Sequence, residues 1–218
     1  MPETLDADRL KRKLKAAGDA TPEHWRTRLH RAISWIRRAE AETDDADARF
    51  IFLWIAFNAA YAREFEQEEN ERDKLHGFID TLLKVDADKR LAALAFQQFT
   101  GPIRVLIENK YVFEPFWRAL REHDSSNRWE ERFNASHKAA LDAVMKGDTA
   151  LVLSVVFDRL YVLRNQLMHG GATWNSRVNR QQVRDGAKIM GRIVPVVIEL
   201  MLENPYVDFG EIQYPVVM

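Results

Sequence analysis

The sequence contains no cysteine, and two further absences narrow the classes of protein to which it can belong. Without cysteine there are no disulfides and no thiolate zinc sites, a composition that suits a reducing compartment. The longest apolar run, Phe50 to Ala62, is interrupted by Asn58 and is shorter than the ~20 residues that span a bilayer. The charged N-terminal segment lacks the apolar core of a signal peptide. These absences predict a soluble, cytoplasmic protein that does not insert into a membrane.

The sequence also lacks a large excess of positive or negative charge. The chain has 32 Lys and Arg residues against 33 Asp and Glu residues, which gives a net charge of −1. A protein with this balance has no global positive field to attract nucleic acid, so any site for RNA must be local. The length of 218 residues allows a substantial core. We expect a single domain over residues 1–218.

Apolar residues recur at helical spacing along almost the whole chain, and runs of alternating strand pattern are missing. The sequence therefore predicts an all-α helical bundle. A first helix is expected to begin at Thr21-Pro22-Glu23, with Thr21 as its cap. Its predicted buried face comprises Trp25, Leu29, Ala32, Ile33 and Ile36. A central core helix is expected to follow the acidic residues at 44, 45 and 47. Its predicted buried face comprises Phe50, Leu53, Trp54, Phe57 and Tyr61.

The remainder of the chain predicts further helices of unequal regularity. One covers roughly Glu71 to Val85, another begins near Asp88, and Gly101-Pro102 breaks or kinks the pattern. Residues 103–145 are less regular and are predicted to be shorter helices inserted into or packed on the bundle. The tail from Tyr206 to Met218 is apolar enough to pack back as an extended segment or short strand.

Two long helices are predicted in the C-terminal third. The first starts at Asp148 or Thr149, and its apolar stripe comprises Val152, Val156, Leu160, Leu163 and Leu167. The second starts near Val178, is kinked at Pro195, and buries Val183, Ala187, Met190, Val194 and Val197. The segment that joins these two helices carries the most informative residues of the chain.

Arg164 and His169 lie five positions apart at the end of the first of these helices, and Gly170-Gly171 stops the helix. Arginine grips phosphate oxygens with two hydrogen bonds, and histidine exchanges protons near neutral pH. Together they have the chemistry needed to cut RNA without a metal. The same pattern has an ordinary reading, because basic residues before a C-terminal glycine also satisfy the last helix carbonyls.

Spacing alone does not select this pair. Chance gives about 0.6 such pairs in a chain with 22 arginines and 6 histidines, and the chain has three. The other two, Arg118/His123 and Arg132/His137, lie among charged residues and are interpreted as solvated helix faces. The helix that carries Arg164 is apolar and must be anchored in the core, which gives its end the fixed position that a site needs.

Two neighbours of the pair are candidate supporting residues. Tyr161, Asn165 and His169 are spaced by four and form one row on the helix, so Asn165 can hydrogen-bond and orient the imidazole. The dipole at a helix C-terminus also favours the protonated imidazole. Asn58 is a further candidate, since it is polar within the most apolar helix. Both a satisfied core asparagine and a supporting role at the site fit Asn58.

With these residues in view, the chain resembles the HEPN superfamily. These are helical-bundle proteins that include metal-independent ribonucleases of toxin–antitoxin, antiviral and CRISPR-associated systems. Arg164, Asn165 and His169 match the superfamily signature, and the aromatic helix over residues 52–61 looks like that of the Apea-like HEPN branch. One position departs from the toxin branch that is paired with a nucleotidyltransferase antitoxin, because Gly171 stands where that branch typically has tyrosine.

The resemblance implies a homodimer in which two protomers bring their motifs into one cleft. It implies RNA cleavage through the 2'-hydroxyl, with His169 as general base or acid and Arg164 stabilising charge on the phosphate. Asn165 would position a phosphate or the imidazole. No metal and no cofactor is expected, and an antitoxin or regulatory protein is a possible partner. A non-catalytic module for RNA binding, nucleotide binding or assembly stays open, as does a helical interaction protein whose motif is only a helix cap.

A local basic stripe follows the motif. Its members are spaced by three or four residues and share one helix face: Arg177, Arg180, Arg184, Lys188 and Arg192. Such a stripe can follow a phosphate backbone, and Trp174 can stack on a base. A solvated charged face and a tryptophan packed in a loop are the alternatives. The remaining histidines do not show the spacing of a metal site.

Overall fold

The structure is a computed structural model that describes residues 5–18, 21–61, 71–98, 100–177, 179–210, 212 and 214, without the side chains of residues 71, 72 and 100. These residues form helices and connecting turns, so the predicted all-α class is confirmed. The helices are α1 (Ala7–Ala16), α2 (Glu23–Glu40), α3 (Ala46–Tyr61), α4 (Glu71–Val85), α5 (Arg90–Ala93), α6 (Thr100–Glu108), α7 (Glu114–Arg121), α8 (Arg128–Lys146), α9 (Thr149–Met168) and α10 (Arg180–Glu203). No helix in this part of the chain is both long and apolar enough to cross a bilayer.

The chain divides into two compact units. Unit 1 comprises Met1–Arg90 and Ala187–Met218, and unit 2 comprises Leu91–Gly186. Helix α10 contributes its first turns to unit 2 and its remainder to unit 1. The segment predicted to be an insertion, residues 103–145, belongs to unit 2, and its status as an insertion stays a prediction.

The core of unit 1 is built on α3. All five residues of its predicted inner face are buried, and its aromatic rings pack in succession, with Phe57 4.9 Å from Tyr61 and 6.0 Å from Phe78 of α4. Helix α2 packs along α3 and buries the face predicted for it. The indole Nε1 of Trp25 donates to the carbonyl of Met201 at 3.1 Å, which joins α2 to α10.

Two sequence predictions about the N-terminal region are wrong. Helix α1 precedes the helix that was expected to be first, with Asp6 as its cap and Leu10 buried. Thr21 does not cap α2, because its hydroxyl donates instead to the carbonyl of Gly18 at 2.9 Å, and Pro22 occupies the cap position without a side-chain hydrogen bond.

The helices in the middle of the chain, which belong to unit 2, differ in length from those predicted there. The irregular middle contains α8, which is 19 residues long and packs against α9. Gly101 and Pro102 lie in the first turn of α6, where a proline is tolerated, and a π-helical segment, Leu94–Gln98, ends shortly before them. Helix α9 begins as predicted, with the carboxylate of Asp148 accepting from the backbone N–H of Leu151 at 3.1 Å.

The last helix begins close to its predicted start, and the described part of the tail packs back onto unit 1 as predicted. Helix α10 begins at Arg180 and continues through Pro195 to Glu203, while residue 178 lies outside the described residues. The described part of the tail contains no strand. Phe209 is nevertheless buried, and the guanidinium of Arg28 donates to the carbonyls of Phe209 and Gly210 at 3.0 and 2.7 Å.

Candidate functional site

Helix α9 holds the arginine–histidine motif at its C-terminal end. Its inner stripe is fully covered at Val152, Val156, Leu160 and Leu163, and only Leu167 of the predicted set is partly exposed. Burial of four large aliphatic side chains on one helix fixes its position, since each contributes about 1.5–3 kcal/mol when buried. The end of the helix is therefore presented from a rigid support.

The helix ends in a Schellman motif. His169 is the C-cap, and Gly170 adopts a left-handed φ of +69°. The N–H of Gly170 donates to the carbonyl of Leu167 at 3.4 Å, and the N–H of Gly171 donates to the carbonyl of Gln166 at 2.7 Å. The predicted stop at Gly170-Gly171 is confirmed. The glycines turn the chain away immediately after His169, which leaves the imidazole at the surface.

Arg164 is held by its neighbours on α9. Its Nη1 donates to Oδ1 of Asn165 at 2.8 Å, and its guanidinium carbon lies 6.0 Å from the ring centroid of Tyr161. The side chain is partly buried. The structure thus brings together Tyr161, Arg164 and Asn165, with the planar guanidinium restrained on one side and still able to donate to an oxyanion on the other.

His169 is separate from this group at the level of side chains. The imidazole is exposed, and within the described residues no hydrogen bond to it is formed. Asn165 contributes only its backbone carbonyl, which accepts from the N–H of His169 at 3.0 Å. The Asn165 oxygen accepts from Arg164, and no side-chain hydrogen bond joins Asn165 to the imidazole among the described residues, so its orienting role stays a prediction.

Gln166 is a residue of the site that the sequence analysis missed. Its Nε2 donates to the carbonyl of Tyr111 at 2.6 Å, and its Oε1 accepts from Nδ2 of Asn179 at 2.9 Å. One amide therefore ties the end of α9 both to the turn before α7 and to the residue that precedes α10. Its partners are 55 and 13 residues away in sequence, so local spacing gave no signal.

The Tyr111 turn is the second feature that was missed. It is a short 3-10 helix, Lys110–Val112, capped by Asn109, whose Oδ1 accepts from the N–H of Tyr111 at 2.8 Å. The carbonyl of Tyr111 accepts a second hydrogen bond from Nε1 of Trp117 at 2.7 Å. The Tyr111 ring is 48% exposed although its backbone is held at three points.

The predicted basic stripe is distributed over both units. Arg177, Arg180 and Arg184 belong to unit 2, and Lys188 and Arg192 belong to unit 1. All are exposed except Arg180, which is partly buried and donates from Nη1 to Oδ1 of Asn175 at 3.3 Å. Trp174 is 71% exposed in the segment between α9 and α10. This exposure speaks against the alternative in which Trp174 is packed in a loop, and its stacking on a base stays a prediction.

Asn58 belongs to unit 1, which also contains Arg49, a positively charged residue that the sequence analysis did not single out. Asn58 is partly buried in α3, and its Oδ1 has no hydrogen-bond partner among the described residues. Arg49 of α3 reaches α10 at Gly191, where its Nη2 lies 3.4 Å from the position that a Cβ would take. Arg49 forms no ion pair in the described part of the chain, so it adds a positive charge beside Gly191, which lies between Lys188 and Arg192 in sequence.

The other two arginine–histidine pairs differ from each other. Arg118 is exposed and paired with Glu114, and His123 is exposed, as expected of a solvated surface. His137 contradicts that expectation. Its ring is stacked on Phe133 at 6.4 Å, and its Nε2 is buried without a partner among the described residues.

No cluster of three or more His, Asp or Glu side chains suited to a metal ion occurs in the described ranges. Comparisons with protein-family models, with curated proteins and with solved structures find no match to this chain. The assignment of a function therefore depends on the geometry of the residues themselves.

Proposed function

We propose that the protein is a metal-independent endoribonuclease of the HEPN type. The observation that carries this proposal is the end of α9, where a buried helix presents a restrained Arg164 and an exposed His169 that has no hydrogen-bond partner among the described residues. The exposed cations of the basic stripe in unit 2 supply a local positive surface in a chain whose net charge is −1.

The reaction that these groups support is an internal transesterification. The RNA 2'-oxygen attacks the phosphorus and loses its proton to a general base, while the 5'-oxygen leaves with a proton from a general acid. The products carry a 2',3'-cyclic phosphate and a 5'-hydroxyl. His169 performs one of the two proton transfers, and Arg164 stabilises the added charge on the phosphate oxygens.

This chemistry favours a homodimer. Two proton transfers are required, and each chain offers one exposed histidine beside an arginine at the end of α9. A second copy of the chain supplies the second histidine if the two helix ends face a common cleft. A mass of one chain by light scattering under assay conditions, combined with specific activity that does not depend on protein concentration, would overturn the homodimer.

The test of the activity uses single-stranded RNA in the presence of EDTA. Wild-type protein is expected to release products with 2',3'-cyclic phosphate ends and to leave DNA of the same sequence intact. His169→Ala and Arg164→Ala are each expected to lower the rate by at least about 100-fold, the usual contribution of a positioned proton donor or oxyanion donor. His24→Ala removes another exposed histidine and is the matched control, with activity unchanged.

A non-catalytic RNA- or nucleotide-binding module is the second candidate. It is favoured by one observation, that no side chain in the described residues orients the His169 imidazole. Under this alternative, wild-type protein binds RNA without cutting it, and Arg164→Ala weakens binding more than His169→Ala does.

A role as a toxin or defence component is part of the proposal. Expression of the wild-type chain is then expected to arrest cell growth, and His169→Ala at the same protein level is expected to relieve the arrest. Equal arrest by both proteins would contradict this role. A gene for an antitoxin or regulatory partner is expected next to the gene for this chain.

A further inference from the structure

The turn that contains Tyr111 combines three properties that suit a binding site. Its backbone is fixed, its aromatic ring is 48% exposed, and it is joined by a hydrogen bond to the same helix end that carries His169. Gln166, which makes that bond, precedes His169 by three residues, a separation of about 4.5 Å along a helix axis. The exposed ring therefore belongs to the neighbourhood of the arginine–histidine motif.

The Tyr111 ring packs against other aromatic side chains. Its centroid lies 5.4 Å from that of Phe116 in a perpendicular arrangement and 6.4 Å from that of Trp117. Phe116 in turn lies 5.0 Å from Trp129 of α8. These three supporting side chains are only partly exposed. These contacts restrain the Tyr111 ring, and the 48% exposure of the residue leaves part of it open to a planar ligand.

A cation lies above this cluster. The ammonium of Lys110 is 5.5 Å from the Tyr111 centroid and 5.7 Å from the centroids of Phe116 and Trp129. The nearest carboxylates in sequence are already paired, Glu108 with Arg104 at 2.7 Å and Glu114 with Arg118 at 3.0 Å. Lys110 itself forms no ion pair among the described residues, so its charge is available to an anion.

We propose that Lys110 and Tyr111 form a nucleotide-binding subsite for single-stranded RNA next to the motif. The Tyr111 ring stacks on a base, and the Lys110 ammonium contacts a phosphate of the same strand. This inference rests on the proposed function for its ligand, since it assigns a place to a nucleotide near the one that is cut. An exposed aromatic ring beside an unpaired cation is the combination that sequence-tolerant binding of single strands requires.

Binding is measured apart from cleavage, with a labelled, unstructured 2'-O-methyl RNA that lacks the attacking hydroxyl. Tyr111→Ala is expected to weaken binding by about 5- to 150-fold, the effect of losing one base–aromatic stack. Tyr111→Phe keeps the ring and is expected to bind like wild type, whereas Tyr111→Leu is expected to bind like the alanine variant. Tyr206→Ala removes a tyrosine that is 79% exposed in unit 1 and serves as the control.

The stacking partner is located with abasic substitutions at each position of the RNA. At one position, loss of the base and Tyr111→Ala are expected to be non-additive, because both remove the same contact. Lys110→Met is expected to reduce the slope of log affinity against log salt by about 0.7, the value for one phosphate contact on a single strand. An unchanged slope would show that Lys110 does not contact a phosphate.

Failure of the subsite and failure of the proposed function give different results. If wild type cuts unmodified RNA while Tyr111→Ala binds RNA as tightly as wild type does, the subsite is wrong and the nuclease stands. If wild type binds RNA through Tyr111 and cuts nothing, the nuclease is wrong and the subsite stands. Weakening by Tyr111→Phe as large as that by Tyr111→Ala would exclude stacking, and absence of any RNA binding would exclude both.

Discussion

At the scale of the residue, the carboxylate of Glu40 has two opposing effects on stability. Its hydrogen bond to the backbone favours the folded state, and the desolvation of its charge disfavours it. Its carboxylate accepts from the N–H of Ala7 at 2.9 Å. Glu40, the last residue of α2, thus provides an acceptor for a backbone N–H in the first turn of α1, which has no acceptor within its own helix. Burial raises the pKa of Glu40 above its ordinary value, and the charges of Asp6 and Asp8 raise it further, although the hydrogen bond from Ala7 and the charge of Arg37 lower it. The ionised form is therefore less favourable in the folded state than in the unfolded chain.

Glu40→Gln is accordingly expected to stabilise the protein at neutral pH. A raised folded-state pKa contributes stability that is complete below the unfolded value, about 4.3, and is lost as the pH rises through the folded-state pKa. Glutamine keeps the acceptor for Ala7 and has no charge to lose. Thermal melts should give a higher Tm for the variant at pH 7 and nearly equal values below pH 4. A lower Tm at pH 7 would contradict the account.

At the scale of the helix, glycine has opposite effects on stability in the middle of α4 and at the end of α9. Gly77 lies in the exposed middle of α4, and a Cβ added there would meet no other atom within 4 Å. Gly170 has a φ of +69°, and a Cβ on Gly171 would lie 3.2 Å from the carbonyl oxygen of Gln166. The first glycine weakens its helix, and the other two are needed where they lie.

The same substitution is therefore expected to act in opposite directions. Gly77→Ala should stabilise the protein by about 1 kcal/mol through helix propensity. Gly170→Ala should destabilise it by about 1–2 kcal/mol, the cost of a left-handed residue with a side chain. Chemical denaturation of the two variants measures both values, and RNA cleavage should fall only in the Gly170 variant because His169 is displaced. Equal and like-signed effects would contradict the assignment.

The sequence predicted helices well where a strong apolar stripe existed. The inner faces of α2, α3 and α10 and most of that of α9 follow from periodicity alone. Helix α8 escaped prediction as one long helix because the residues it buries completely are only Ala140 and Ala143, which give a weak hydrophobic signal. Gln166 and Tyr111 escaped because their importance comes from a hydrogen bond between residues 55 positions apart, which no local pattern encodes.

At the scale of the whole molecule, an ion-pair network in unit 1 connects three parts of the chain that are far apart in sequence. The guanidinium of Arg90 bonds Glu199 at 3.1 Å and Glu203 at 2.5 Å, and Lys13 of α1 pairs with both glutamates. Burial opposes ionisation of Glu203, but hydrogen bonds and charge from Arg90 and Lys13 outweigh it and lower its pKa. The network joins α1, α5 and α10.

Arg90→Met is expected to destabilise the fold by about 2 kcal/mol at pH 7, less than the loss of a fully buried pair because the network is partly exposed. A lowered folded-state pKa contributes stability that is present above the unfolded value of about 4.3 and is lost as the pH falls through the folded-state pKa. The difference from wild type, measured by urea denaturation across this range, should therefore shrink on acidification. Arg104→Met removes an exposed pair and should change stability much less than Arg90→Met does.

Unit 1 is discontinuous, and this has a consequence for synthesis on the ribosome. Every residue of unit 2 has been joined to the chain before Ala187 is added, whereas unit 1 lacks its part of α10 until residues 187–203 follow. Helices α1 to α4 are thus made before unit 2 and acquire their complete set of neighbours only after it. Until that moment, the indole of Trp25 has no Met201 carbonyl to bond and the buried aromatic face of α3 lacks part of its cover. The incomplete unit 1 is therefore exposed to chaperones and proteases for as long as unit 2 is being synthesised.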